Sequence, residues 1–95
     1  MNVLQSLSEE ELEELLTYLE VESSKYLESI LPPKTDFSVL ISIKRVSEGV
    51  DVSIEVMIRG RLADYSEEAK MAMNYAKKKL IEWLENHIRE RASSS

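Results

Sequence analysis

The residues best suited to chemistry are the carboxylates of an acidic segment near the start of the sequence and the single histidine. Glutamates crowd residues 9–14, and His87 lies far downstream. Paired carboxylates can act as acid and base or hold a metal ion, but a perturbed acid needs burial, and no apolar run surrounds these. We therefore interpret the glutamates as capping and solvating a helix, and we expect no catalytic residue and no metal site.

The chain also lacks the residue types that common catalytic and cofactor sites require. It has no cysteine, which excludes disulfides, thiolate metal sites and thiol nucleophiles. Its two glycines cannot form a Walker loop or a dinucleotide-binding fingerprint, so we expect no cofactor and no enzyme. His87 is interpreted as a packing residue near the negative end of a helix, with a pH-sensitive contact as the alternative.

Charge is distributed unevenly along the chain. The formal net charge is −6, and residues 1–31 hold eight glutamates against one lysine. An acidic chain does not concentrate phosphate backbones around itself, so direct binding of nucleic acid is not expected. The alternative is a nucleic-acid-binding module that uses Arg59, Arg61, Lys70 and the lysines of residues 77–79. A solvated helix surface is the favoured interpretation of these basic groups.

A first helix is predicted from its end signals and its periodicity. Ser8 is a suitable N-cap with Glu11 at the third helical position, which forms a capping box. Leu7 and Leu12 fall at the positions of a hydrophobic staple, and Pro32 ends the helix because the residue before a proline is disfavoured in the α region. The predicted apolar face consists of Leu12, Leu15, Leu16, Leu19, Tyr26, Leu27 and Ile30.

Two alternating, β-branched runs predict an antiparallel hairpin. Residues 37–43 and 50–58 alternate apolar and polar types around a turn that contains Gly49. Opposed residues share a face, so the pattern predicts a register with a four-residue loop, residues 46–49. The predicted pairs are Ile43–Val52, Ile41–Ile54, Val39–Val56 and Lys44–Asp51.

A second helix is predicted after the hairpin. Asp64 or Ser66 caps it, and Glu67 follows three residues after Asp64. Residues 1–91 form one domain, and 92–95 are expected to be a disordered tail. The predicted inner face consists of Ala69, Met73, Ala76, Leu80, Trp83, Leu84, His87 and Ile88.

The element order predicts an α+β fold, a two-layer α-β-β-α arrangement with both helices on one face of the hairpin. A two-stranded sheet is thin and has two free edges, so we expect dimerisation to extend it. Apolar residues on the wrong faces are candidates for the interface. Leu40 and Met57 lie on the sheet face away from the helices, and Met71 and Tyr75 lie opposite the core stripe of the second helix.

Localisation and source are inferred from composition. No apolar run is long enough to span a membrane, and the start is too acidic for a signal peptide, so we expect a cytoplasmic protein. Abundant Glu and Lys without Cys are typical of a heat-adapted organism. In order and pattern, over essentially the whole chain, the sequence resembles a small archaeal family of uncharacterised proteins. The acidic helix start, the Pro-terminated helix, the Ile/Val hairpin and the closing helix carry this resemblance.

A second resemblance concerns the start of the last helix. The run Ala69–Asn74 is similar to a Leu-Arg-Ala-x-Leu-Asn-like run in the small dimerising subunit of KEOPS, the tRNA threonylcarbamoyl-adenosine synthesis complex, and in its archaeal paralogue. Lys70 stands at the arginine, Met73 at the second leucine and Asn74 at the asparagine. The resemblance implies a non-catalytic protein–protein interaction module, an accessory subunit of an archaeal tRNA-modification assembly. Its partner would be a second copy or a related small subunit.

Overall fold

The computed structural model describes residues 7–47, 49–59 and 64–93. The elements follow the order helix, strand, strand, helix, and the two strands form one antiparallel sheet. Helix α1 contacts β1, α2 contacts β2, and the two helices contact each other, which confirms the predicted α+β fold. The elements are α1 (Glu9–Ile30), β1 (Asp36–Val46), β2 (Gly49–Arg59) and α2 (Ser66–Ser93). Helix α2 therefore runs two residues into the stretch expected to be a tail.

The predicted start of α1 is confirmed. The Ser8 hydroxyl accepts a hydrogen bond from the Glu11 N–H at 3.1 Å, and Glu11 Oε1 accepts one from the Ser8 N–H at 2.9 Å. Leu7 and Leu12 are both buried in one apolar cluster, as the staple requires. Arg45 of β1 ties this end of the helix to the hairpin, because its guanidinium donates to the Leu7 carbonyl.

The end of α1 is also as predicted, and the turn after it was not foreseen. Leu31 is the C-cap with extended dihedrals, φ −96° and ψ 151°, directly before Pro32. The chain then reverses in a turn closed by Thr35, whose N–H donates to the Pro32 carbonyl at 3.3 Å. Lys34 has φ 68°, the left-handed value that such a turn demands at its third position. A residue with a β-carbon pays about 1–2 kcal/mol for this conformation.

The predicted register of the hairpin is confirmed and the predicted loop length is wrong. Ile41 lies opposite Ile54, and Lys44 lies opposite Asp51. The ladder continues to the pair Val46–Gly49, so the loop has two residues instead of four. The additional pair lengthens each strand by one residue, because backbone pairing there satisfies polar groups that a wider loop would leave to water.

The core lies between the helices and one face of the sheet, in two apolar clusters. The first contains the buried residues Leu7, Leu12, Leu15, Leu19 and Ile41. The second contains the buried residues Leu27, Leu31 and Ala72. Val39 packs against both clusters. Ser23, one turn beyond Leu19 on α1, is fully buried, and its hydroxyl has no hydrogen-bond partner among the described residues.

Ser23→Ala is expected to stabilise the protein by about 1 kcal/mol. An unsatisfied buried hydroxyl costs about 1–3 kcal/mol, and alanine is also the better helix former. Urea denaturation followed by circular dichroism measures the change. Ser24→Ala is the matched control, since Ser24 is only half-buried on the same helix and should gain no more than the propensity difference. A loss of stability in Ser23→Ala would show that the hydroxyl is satisfied.

The inner face of α2 is rotated from the predicted stripe. Ala72, which was not predicted to face inward, is fully buried together with Ala76. Ile88, predicted to be inside, is 47% exposed, so that assignment is wrong. Ala72 packs in one cluster with Leu27 of α1 and Leu31. Tyr75 of α2 stacks on Tyr26 of α1, with ring centroids 4.4 Å apart.

The start of α2 uses the predicted residues in a specific arrangement. Asp64 lies before the helix, and its Oδ1 accepts hydrogen bonds from the Ser66 hydroxyl and, at 3.0 Å, from the Ser66 N–H. These two hydrogen bonds hold the pKa of Asp64 below its ordinary value, and the bond from the Ser66 hydroxyl has the larger effect. The stabilisation from these hydrogen bonds is present above the ordinary pKa of aspartate. It is lost as the pH falls through the lowered pKa of Asp64 in the folded protein.

Candidate interaction surface

Among the described residues, one face of the sheet carries no helix and exposes three large apolar side chains, Leu40, Met57 and, next to the turn, Val46. Leu40 of β1 is 62% exposed and Met57 of β2 is 54% exposed. In the observed register Leu40 lies opposite Glu55, so Met57 is its diagonal neighbour on the same face. Diagonal neighbours on one face are within reach of long side chains. The structure thus brings together two of the four predicted interface residues.

Most of the other side chains on this bare face are small or charged. Serines flank Leu40 and Met57, and oppositely charged pairs lie toward both ends of the face. The directly opposed pairs on this face are Asp36–Arg59, Ser38–Met57, Leu40–Glu55, Ser42–Ser53, Lys44–Asp51 and Val46–Gly49. No charge interrupts β1 between Asp36 and Lys44, whereas β2 carries Glu55 at its centre. The β1 side is therefore the less protected edge of the sheet.

The backbone at both strand edges has free hydrogen-bonding capacity. Within residues 7–47, 49–59 and 64–93 the sheet has two strands only, so each strand has one side without a neighbour. In a two-residue hairpin the pair that flanks the loop exchanges backbone hydrogen bonds, and bonded pairs then alternate along the ladder. Val46–Gly49 is that flanking pair. Even-numbered residues of β1 therefore bond to β2, and Val39 and Ile41 direct their N–H and C=O groups to the free edge.

The other two predicted interface residues are not together on a surface. Met71 is 45% exposed on α2. Tyr75 was expected on the exposed face, but it is half-buried, because its ring stacks on Tyr26. The Tyr75 ring therefore contributes to the packing of α2 on α1 within the chain, and it does not stand free on the surface as an interface residue would.

Two exposed isoleucines on α2 were missed by the sequence reasoning. Ile81 is 56% exposed, and Ile88 is exposed one heptad later. The signal for Ile81 was present in the sequence, since it follows Leu80 directly and so projects about 100° away from the core stripe. For Ile88 the sequence pattern does not decide between a buried and an exposed position, because that depends on the rotation of α2. These residues form a second, smaller apolar ridge on the helix layer.

The basic residues do not gather into one patch. Arg59 lies on the bare sheet face opposite Asp36, whereas Lys77 and Lys78 are exposed on α2. Lys79 Nζ lies 3.4 Å from Glu82 Oε2 and 5.4 Å from the Tyr75 ring centroid. The Glu82 carboxylate, and next the Tyr75 hydroxyl, raise the pKa of Lys79. Arg61 lies outside the described residues. This dispersion does not favour the nucleic-acid alternative.

His87 contacts the carboxylate that caps α1. Its Nε2 lies 2.6 Å from Glu11 Oε2, and its ring stacks on Trp83 with centroids 4.9 Å apart. His87 thus packs its ring, as expected, and it also joins the end of α2 to the start of α1. A structural role accounts for the residue, since the carboxylate oxygens of Glu11 are directed at Ser8 and His87.

Glu11→Ala is expected to lower the free energy of unfolding by about 1–2 kcal/mol. The substitution removes one half of the capping box and the contact with His87 together. Glu11→Gln should cost less, since glutamine also serves at this capping position but carries no charge toward His87. Urea denaturation ranks the variants, with Glu10→Ala as the exposed neighbouring control. Equal stability of Glu11→Ala and Glu10→Ala would contradict the bridging role.

No metal centre or membrane span is found in the part of the chain that the structure describes. There, no three His, Asp or Glu side chains come together in a way that could hold a metal ion. No helix among the described residues has both the length and the hydropathy needed to cross a membrane. No protein-family model, curated protein or solved structure matches the chain. The candidate site is therefore identified by its own geometry, as the bare face and free edges of a two-stranded sheet.

Proposed function

We propose that the protein is a non-catalytic protein–protein interaction module whose partner extends the hairpin sheet. The observation that carries this proposal is the uncovered sheet, with Leu40 and Met57 exposed side by side on it. A row of backbone donors and acceptors along a strand with no charge between Asp36 and Lys44 favours pairing with another strand. Leu40 and Met57, diagonal neighbours on an open sheet face, supply an apolar centre of the kind found in interfaces.

The partner is a second copy of the chain or a related small subunit. The likeness of Ala69–Asn74 to the small dimerising subunit of KEOPS supports a finer proposal, an accessory role in an archaeal tRNA-modification assembly. In that role the protein holds other subunits and does not itself bind the nucleic acid, in keeping with its net charge of −6. The proposed compartment is the cytoplasm.

Light scattering of the purified protein over a range of micromolar concentrations tests the proposal. The expected result is a mass twice that of the chain, which falls toward the monomer mass on dilution. A monomer at every accessible concentration would contradict self-association. In that case, co-purification with a tagged small dimerising KEOPS subunit tests the heteromeric form, and a lack of binding there would contradict the remaining form of the proposal.

A further inference from the structure

The unpaired edge of β1 is complementary to itself in one particular register. When two copies of a strand pair antiparallel about a twofold axis, the residue numbers of every opposed pair add up to the same value. The backbone groups directed to the free edge belong to odd-numbered residues such as Val39 and Ile41. An odd-numbered residue of one copy must therefore lie opposite an odd-numbered residue of the other. This requirement places a residue of β1 on the axis and excludes every register centred between two residues.

Of these registers, the one centred on Leu40 matches both charge and side-chain type. It sets Asp36 opposite Lys44 of the partner at each end of the nine-residue ladder. Between these ends, every apolar residue lies opposite an apolar residue and serine lies opposite serine. The remaining pairs are Phe37–Ile43, Ser38–Ser42, Val39–Ile41 and Leu40–Leu40. A shift by one residue to a centre at Ile41 opposes Ser38 to Lys44 and loses the charge match.

The edge of β2 does not offer an equivalent register. The arrangement that pairs Asp51 with Arg59 of a second copy sets Glu55 against Glu55 on the axis. Two like charges directly opposed in a ladder are destabilising. The corresponding register of β1 opposes two leucines that are each 62% exposed in the single chain.

We propose that the protein forms a homodimer through β1–β1 pairing, with Leu40 of both copies on the twofold axis. The result is a continuous four-stranded antiparallel sheet in the order β2-β1-β1-β2. On its bare face the two Leu40 side chains and the two Met57 side chains make one apolar strip. This inference rests on the proposed function, of which it names the partner and the pairing.

Oxidative cross-linking of single-cysteine variants tests the register, because the chain has no cysteine of its own. Leu40 bonds to β2, so Leu40–Leu40 is a non-hydrogen-bonded pair, with Cα atoms about 4.5 Å apart. That separation lies within the range of about 4.4–6.8 Å that a disulfide spans. Met57→Cys is the matched control, because its equivalent positions are more than about 14 Å apart across the dimer.

We expect Leu40→Cys to cross-link about 100-fold faster than Met57→Cys at the same micromolar concentration, since pairing gives a millimolar effective concentration. Equal rates for the two variants, in a protein that light scattering finds dimeric, would overturn the register and leave the proposed function standing. A wild-type protein that is monomeric throughout, with slow cross-linking of both variants, would overturn the homodimer itself.

Discussion

Ile41→Asp is expected to leave the protein unfolded at room temperature. Ile41 is 4% exposed and belongs to the same cluster as Leu15 and Leu19, so its side chain lies between the sheet and α1. An uncompensated charge in such a place costs about 3–5 kcal/mol, in addition to the lost apolar burial. Small domains have about 5–15 kcal/mol of net stability, and a two-stranded platform is expected at the low end.

The neighbouring residue provides a matched control for this prediction. Leu40→Asp introduces the same side chain one position earlier, on the opposite face of the strand, where it stays in water. Circular dichroism should report a loss of helical signal for Ile41→Asp and an unfolding midpoint close to that of the unsubstituted protein for Leu40→Asp. A folded Ile41→Asp with an unfolded Leu40→Asp would reverse the assignment of the two sheet faces.

Leu40→Lys is expected to weaken self-association by about 100-fold. Each dimer loses two leucine side chains from the axis, at about 1.5 kcal/mol each, which corresponds to two decades in the dissociation constant. Two lysines would also face each other there, and their repulsion adds to the loss. Sedimentation equilibrium on the folded variant measures the change.

Ile81→Lys is the control that separates the sheet from the helix layer. Ile81 is about as exposed as Met57, but it lies on α2, away from the strands. The dissociation constant should be unchanged in Ile81→Lys. If Ile81→Lys dissociates the dimer while Leu40→Lys does not, the interface lies on the apolar ridge of α2 and both proposals about the sheet are wrong.

The features that the sequence predicted correctly depend on local signals. The capping box of Ser8 and Glu11 needs only residues three positions apart, and Pro32 acts on its immediate neighbour. The strand register follows from alternation, because a slip of one residue would turn every apolar side chain of a strand to water. Leu40 and Met57 could be assigned to the bare face for the same reason.

The features that the sequence did not predict depend on contacts between distant segments. In the folded chain α2 buries Ala72 and Ala76, and alanines near the edge of an apolar stripe do not indicate which side will be buried. Tyr75 was placed on the wrong face because its partner, Tyr26, lies on another helix. The two-residue loop was not predicted, because the alternation of apolar and polar residues does not show at which residue the pairing of the two strands stops.

The double role of Glu11 links the kinetics of opening at two remote parts of the chain. Its carboxylate holds the first turn of α1 through Ser8 and the later turns of α2 through His87, across 76 positions of sequence. Helix ends normally fray independently and exchange their amide hydrogens quickly. Here the opening of either end breaks the contact between Glu11 and His87 that restrains the other end. We therefore expect the start of α1 and the end of α2 to behave as one cooperative unit in native-state hydrogen exchange, although they are far apart in the sequence.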